Sequence, residues 1–202
     1  MKYLLLCLSL VCVIGAHCPA GQDSSKPMAP ETLLKSKLDT VLLILKESQF
    51  NEEEKSQRIM KLITPLFDFP LMGYLALGKP RMRSLNKEQR TQYNTLFVEH
   101  LKNSYHKKIM MYTDEIITYK PVTIKGTRAT VPTELVTKDK PIAILYKLRQ
   151  TKQIWKVYDV EVQGISLIKS YSAQFKEILR SGTMDDLFTA LKKQPLEESA
   201  KP

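Results

Sequence analysis

The sequence predicts an α+β fold, in which N-terminal helices precede a four-stranded antiparallel sheet and C-terminal helices pack over that sheet around an apolar pocket. The hydrophobic period is about 3.6 residues up to Thr113, two residues from there to Val162, and again about 3.6 afterwards. The predicted strands follow one another closely, which favours a meander over parallel crossovers. At Gly164 the pattern of a strand gives way directly to that of a helix.

Four helices are predicted before the sheet. Each starts at a residue able to open or cap a helix, and the second and third end at a Pro and a Gly. In chain order they begin at Pro30, run from Asn51 to Pro65, run from Asp68 to Gly78, and begin at Asn86. The apolar face of the fourth comprises Tyr93, Leu96, Phe97, Leu101, Tyr105, Ile109 and Tyr112.

Four strands and two further helices complete the predicted order. The strands cover residues 115–124, 128–136, 141–149 and 154–162. Segments typical of turns separate them, and connections this short join antiparallel neighbours. Ser166 is the expected N-cap of a long helix that ends at Gly182, and a short capped helix runs from Thr183 to Leu191.

The N-terminus has the layout of a secretory signal peptide, predicted over residues 1–20. Its apolar run from Leu4 to Ala16 is too short for a permanent membrane span, and cleavage is expected after Ala16 or after Ala20. The three cysteines all lie in this region, but none has the neighbours of a lipobox, so lipidation is the less favoured interpretation. Residues 21–30 are a predicted flexible lead-in, 31–193 a single domain and 194–202 a disordered tail.

Composition narrows the classes of function. The formal net charge is +10, which in an exported protein suggests anionic lipid, an acidic partner or simple solubility. No Gly/aromatic motif or dense Lys/Arg block supports binding to nucleic acid. No cysteine follows position 18, so disulfide and thiolate chemistry are absent from the predicted domain.

Catalytic patterns are scarce. His100 and His106 fall on different faces of one predicted helix, which favours two surface histidines over a metal pair. Asp159 interrupts an apolar strand, where it is either a general base or the partner of a backbone donor or Arg at a bulge. The structural role is favoured, as is helix capping for Asp68.

Aromatic residues are the other conspicuous feature. Six tyrosines fall on predicted inner faces, and each alone is explained by core packing, whereas together they are also suited to lining a cavity. These tyrosines are Tyr93, Tyr105, Tyr112, Tyr146, Tyr158 and Tyr171.

Two blocks resemble the MlaC, or toluene-tolerance, family of periplasmic phospholipid-binding components of an ABC transport system. The first runs from Phe67 to Lys79 (FDFPLMGYLALGK) and is followed by a helix start at residues 85–89 (LNKEQ). The second is residues 155–160 (WKVYDV) with residues 164–167 (GISL), then Tyr171 and residues 174–175. The similarity spans about residues 31–192, although Gly73-Tyr74 stands where the family often has Arg.

The resemblance implies a soluble lipid shuttle that moves phospholipid between outer-membrane and inner-membrane complexes and maintains outer-membrane lipid asymmetry. It implies no catalysis and no cofactor, phospholipid as cargo, and two partners: an inner-membrane ABC transporter with its substrate-binding subunit, and an outer-membrane lipoprotein complex. The expected lipid-binding residues are Phe69, Leu75, Phe97, Leu101, Tyr105, Ile109, Val131, Ile144, Tyr146, Leu148, Val157, Val160, Val162, Leu167, Tyr171 and Phe175. Expected contacts with partners or headgroups are Lys79, Arg81, Arg83, Lys107 and Lys108, for which a plain solvated surface is the competing interpretation.

Two other functions stay open at this point. One is an enzyme on a cone-like α+β pocket, with Asp159 as base and a Tyr as electrophile. The other is an interaction module that uses its basic face and has a fully packed core.

Overall fold

The structure is a computed structural model that describes residues 28–111, 115–137 and 140–193, without the side chains of residues 106–108. The predicted signal peptide, most of the lead-in and the tail from 194 to 202 lie outside the described residues. So do Tyr112 and the side chains of His106, Lys107 and Lys108. Among the described helices, none is long and apolar enough to cross a membrane.

The predicted order of helices, sheet and helices is confirmed. Two helical elements were not predicted: a 3-10 turn (Thr64–Leu66) at the end of the second helix, and a short helix within the basic run that follows Gly78. The α-helices of the described part are α1 (Pro30–Lys46), α2 (Glu52–Ile63), α3 (Phe69–Leu77), α4 (Lys79–Ser84), α5 (Lys87–Met110), α6 (Leu167–Ser181) and α7 (Met184–Lys192).

The predicted helix caps form as expected. Asn51 accepts the Glu54 N–H at 2.9 Å and donates its own N–H to the Glu54 carboxylate at 3.0 Å, which satisfies two backbone donors of α2. Asn86 and Gln89 form the same reciprocal pair ahead of α5. Ser166 accepts the Lys169 N–H at 3.1 Å and starts α6.

Within the described residues the sheet has six strands, whereas four were predicted. They are β1 (Ile116–Tyr119), β2 (Thr123–Lys125), β3 (Arg128–Val136), β4 (Pro141–Thr151), β5 (Ile154–Val162) and β6 (Ile165–Ser166). All named pairs are antiparallel in the order β1-β3-β4-β5-β6, and β2 pairs with β3 beyond the end of β1.

Two prolines explain why the first predicted strand is divided into β1 and β2. Pro121 lies between them and has no N–H to donate to the ladder. Opposite the gap, the Pro132 carbonyl accepts the Lys120 N–H at 3.0 Å, so the side of β3 that faces the gap also lacks a donor. With donors missing on both strands, the continuous ladder predicted over residues 115–124 does not form.

The junction at Gly164 is a hairpin and not a direct passage from strand to helix. Val162 pairs with Ile165, and the two residues between them, Gln163 and Gly164, have φ of 51° and 80°. Such a turn needs positive φ at both positions, which a glycine adopts without strain. The chain therefore reverses into β6 before α6 begins.

One core cluster is built from helices and is called the helical cluster below. Four aromatic rings contact one another in it, those of Tyr93 and Phe97 on α5 and of Tyr171 and Phe175 on α6. The apolar face of α6 packs in this cluster against α3, α5 and α7. This face was predicted to pack over the sheet; its buried residues pack against other helices, while α6 contacts the sheet at β5 and β6. The buried residues of the cluster are Met72, Ala76, Leu77, Leu85, Tyr93, Phe97, Leu101, Ile168, Tyr171, Phe175, Leu187, Phe188 and Leu191.

A second cluster, the sheet cluster, joins one face of the sheet to α1. Leu34 of α1 lies fully buried on it, and Leu33 and Leu38 pack at its margin. Its buried residues are Leu34, Leu66, Ala129, Val131, Leu148, Trp155 and Val157. The element that covers the apolar face of the sheet is thus α1, from the opposite end of the chain to α6.

Candidate functional site

A groove of about 900 Å³ opens between α1 and α2 and reaches the 3-10 turn and the start of β5. Its floor is apolar and includes Leu66 and Trp155, which are both buried members of the sheet cluster. The groove is therefore continuous with the apolar layer between α1 and the sheet. Its lining residues are Leu33, Lys37, Ile44, Glu54, Gln57, Arg58, Lys61, Leu62, Pro65, Leu66, Ile154 and Trp155.

The charged side chains of this groove are mainly cationic. Lys37 comes from α1, whereas Arg58 and Lys61 lie about one turn apart on the exposed side of α2. The Arg58 guanidinium lies 3.7 Å from the centre of the Phe50 ring, a cation–π contact that fixes its position. The one carboxylate in the lining, Glu54, already accepts the N–H of Asn51.

The predicted lipid-binding residues do not line this groove, but some of them lie directly behind its floor. Val131, Leu148 and Val157 are buried in the sheet cluster, and Tyr146 and Val160 pack against it. Burial raises the pKa of Tyr146 to about 12, so its phenol is neutral at physiological pH. This group is the part of the prediction that the fold places next to the groove.

Other predicted residues belong to the helical cluster, away from the groove. Phe97, Leu101, Tyr171 and Phe175 are buried in it, while Phe69, Tyr105 and Leu167 pack at its edge. Ile109 packs against a third cluster, formed by α1 and α2, Ile144 is half-buried, and Leu75 and Val162 are exposed. The fold therefore divides the predicted set and does not gather it around one cavity.

The predicted contact residues of the basic run lie on α4. Lys79 and Arg83 are exposed and Arg81 is half-buried. Arg90 of α5 donates to the Arg83 carbonyl at 3.1 Å, which adds a cation to the same surface. Lys107 and Lys108 have no described side chains.

Asp159 is buried at the β4–β5 bulge, and each of its contacts is structural. Its carboxylate accepts the Ser166 hydroxyl at 2.8 Å and the Ile168 N–H at 3.2 Å, so it secures the first turn of α6. It also accepts Lys147 at 3.2 Å, and Lys147 bonds Glu161 as well. Burial tends to lower the pKa of Lys147, but the hydrogen bonds to Glu161 and Asp159 outweigh it and raise the pKa.

Asp68 has the predicted capping role and a second one. Its carboxylate accepts the Leu71 N–H at 3.2 Å and pairs with the Arg149 side chain at 2.5 Å. Its own N–H donates to the Val157 carbonyl at 2.8 Å, beside a parallel bridge between Phe67 and Val157. These contacts attach the start of α3 to the sheet.

His100 is not the surface residue that was predicted. It is 4 % exposed, its Nδ1 lies 3.1 Å from the Leu191 carbonyl, and its ring meets Tyr171 edge-on at 5.6 Å. Because a carbonyl only accepts, Nδ1 carries the proton in this contact. Burial lowers the pKa of His100, and the bond to Leu191 opposes that effect. Within the described residues, no three His, Cys, Asp or Glu side chains group as a metal site.

Sequence reasoning missed the groove because its walls come from segments far apart in the chain. The sequence predicts Leu62 in the second helix and Trp155 in the fourth strand, without any sign that they meet. The available signal was the mixed character of α2, where Arg58 and Lys61 stand beside Leu62.

The MlaC protein family model matches residues 35–193 of the chain. The chain belongs to the MlaC family. The match begins within α1 and extends to the end of α7, so apart from Leu33 and Leu34 it includes the groove and both clusters.

A solved structure shares this fold. It is described as the phospholipid-binding protein from Ralstonia solanacearum in complex with a phospholipid. The two chains superpose with a TM-score of 0.70 at 24 % sequence identity, over 80 % of this chain and 93 % of the other.

Proposed function

We propose that this MlaC-family protein is a periplasmic phospholipid carrier that moves lipid between an outer-membrane lipoprotein complex and an inner-membrane ABC transporter, and so maintains outer-membrane lipid asymmetry. The observation that carries the proposal is a groove of about 900 Å³ with an apolar floor, whose lining apart from Leu33 lies within the residues that the family model matches. Support also comes from the phospholipid bound by the Ralstonia solanacearum protein of the same fold.

The groove has the volume of a ligand site, and its apolar floor provides part of the surface that acyl chains require. Ligand sites commonly measure about 300–1,000 Å³, so this groove is at the upper end of that range. Each CH₂ removed from water contributes about 0.8 kcal/mol, so two chains of some thirty carbons lose on the order of 25 kcal/mol when exposed. A carrier must therefore cover the chains, and needs no reactive group to do so.

In this proposal the acyl chains of the lipid lie on the groove floor and along the sheet face behind it. Leu66 and Trp155 form the shared wall, and beyond them the predicted residues Val131, Tyr146, Leu148, Val157 and Val160 line the face that α1 covers. A lipid that reaches these residues has to displace α1 from the sheet. The predicted residues of the helical cluster serve as scaffold in this proposal.

At the sheet edge, polar contacts between α1 and β1 add to the apolar packing of Leu34 on the sheet cluster. Tyr119 donates its hydroxyl to Asp39 at 3.1 Å, and Lys35 lies 4.6 Å from the centre of the Tyr119 ring. Polar contacts at a partly exposed edge are individually weak, and acyl chains that displace α1 would replace the apolar contacts of Leu34 with their own.

The remaining parts of the proposal follow from the family. Transport energy comes from the ATPase of the inner-membrane partner, and export uses the predicted signal peptide. The basic surface of α4, with Lys79, Arg81 and Arg83, contacts a partner or lipid headgroups. If this surface steers docking, raising the salt concentration slows lipid exchange with membrane-bound partners.

Trp155 is the only tryptophan of the chain and lines the groove, so it reports on the ligand directly. Phospholipid with brominated acyl chains is expected to quench Trp155 fluorescence, whereas the same lipid without bromine is not. In a control with Trp155→Phe and Leu179→Trp, the reporter lies beside the helical cluster and should remain unquenched.

Native mass spectrometry supplies the second readout. Protein that carries lipid by mass but shows no quenching would place the ligand outside the groove. A protein that stays at the bare chain mass after exposure to lipid would contradict the carrier function itself.

A further inference from the structure

We propose that the groove selects phospholipids whose headgroup has a net negative charge, through Lys37, Arg58 and Lys61. The inference rests on the carrier function proposed above and adds the class of headgroup. These three side chains are called the cationic triad below.

The triad has no carboxylate partner of its own in the described part of the chain. Nearby acidic groups are engaged elsewhere: Asp39 binds Lys35 at 2.9 Å and also accepts Tyr119, and Glu54 closes the α2 capping box. Asp39 is paired with Lys35, whereas Glu54 keeps its charge, so three cations face one carboxylate in the lining and the groove retains a net positive charge.

The triad is also placed where a headgroup would be. All three side chains line the same groove as Leu62, Leu66 and Trp155, so charge and apolar floor form one amphipathic site. A lipid with its chains on the floor brings its phosphate to the groove walls. Arg58 is held there by Phe50, which reduces the entropy lost when the guanidinium binds an oxyanion.

Net headgroup charge then decides the preference. Phosphatidylglycerol has a phosphate and no cation, whereas phosphatidylcholine has a quaternary ammonium next to the phosphate, which the triad repels. Partly exposed ion pairs contribute modestly, so we expect a preference on the order of tenfold for phosphatidylglycerol, which corresponds to about 1.4 kcal/mol.

The test compares monomeric dioctanoyl-phosphatidylglycerol with dioctanoyl-phosphatidylcholine, both below their micelle concentrations, by titration of Trp155 fluorescence. Identical chains keep the apolar contribution constant, and monomers remove the surface potential of a vesicle. The wild type should bind the glycerol lipid about tenfold more tightly. The triple variant with Lys37→Gln, Arg58→Gln and Lys61→Gln should bind both lipids equally.

A charge-matched control distinguishes the effect of the triad from the effect of the protein's overall positive charge. Lys125→Gln, Lys176→Gln and Lys193→Gln remove the same charge from exposed positions outside the groove. This control should keep the preference. Equal affinity of the wild type for both lipids, or loss of the preference in the control, overturns the headgroup inference while the carrier function stands. Binding of neither lipid overturns both.

Discussion

The helical cluster and the sheet cluster differ in how their apolar residues meet. In the helical cluster the Phe97 ring lies 5.7 Å from Tyr93, 5.7 Å from Tyr171 and 6.0 Å from Phe175, mostly edge to face. The sheet cluster is aliphatic apart from Trp155 and borders an open groove. The rings of the helical cluster pack against one another, whereas the sheet cluster borders an open groove, so the first region suits a scaffold and the second a ligand.

The largest expected effect comes from breaking the ring network. Phe97→Ala removes a fully buried ring and leaves a cavity, which should lower the free energy of unfolding by about 3–5 kcal/mol in urea denaturation. Leu43→Ala, at a position 64 % exposed on α1, is the control and should change it by less than about 0.5 kcal/mol. A small effect of Phe97→Ala would mean that the helical cluster is loosely packed.

Two tryptophan substitutions test which cluster borders the lipid. Val160→Trp and Tyr171→Trp both overfill a packed region and should each cost about 1–3 kcal/mol of stability. Only Val160→Trp, which fills the layer under α1, should lower the fraction of lipid-bound protein in native mass spectrometry. If Tyr171→Trp alone empties the protein, the lipid lies in the helical cluster and the comparison is reversed.

Asp159→Asn tests the hydrogen bonds that connect β5 of the sheet to the start of α6. The amide retains the volume but weakens the bonds to Ser166 and Lys147, so we expect a loss of about 1–3 kcal/mol with lipid binding intact. Glu161→Gln, which changes a half-buried partner of the same Lys147, should cost less. Loss of a measurable turnover in Asp159→Asn, with stability unchanged, would instead support the enzyme hypothesis.

The smallest expected effect is a pH dependence that arises in the helical cluster. His100 has a lowered pKa in the folded state, so below its ordinary value of 6.5 the unfolded chain binds more protons than the folded one. This contribution to stability is present above pH 6.5 and is lost as the pH falls towards the folded pKa. His100→Gln should show a shallower decline in unfolding free energy between pH 7 and pH 5, and parallel curves would exclude this contribution.

Local signals predicted local structure well. Asn51, Asp68, Asn86 and Ser166 all cap helices as their types and spacings indicated, because capping depends on residues within one turn. The bulge role of Asp159 was also predicted, although its cationic partner is Lys147 and not Arg.

Contacts distant in sequence were not predicted. The apolar stripe of α6 indicated burial but not its partner, and a two-residue turn at Gly164 decided between sheet and helices. The histidine pattern likewise gave no sign that α7 covers His100 through Leu191, which lies 91 residues further along the chain. The groove forms where such distant segments come together, and the hydrophobic periodicity of each segment does not reveal it.

The bridge between Phe67 and Val157 also bears on how the protein behaves at high concentration. An open strand edge is a template for intermolecular strand addition, the first step of many aggregation processes. On β5 this edge is occupied by Phe67 and Asp68 at Val157 and by β6 at Val162. Because Pro121 interrupts the opposite margin between β1 and β2, neither border of the sheet, as far as the structure describes it, presents a long ladder of free donors to another molecule.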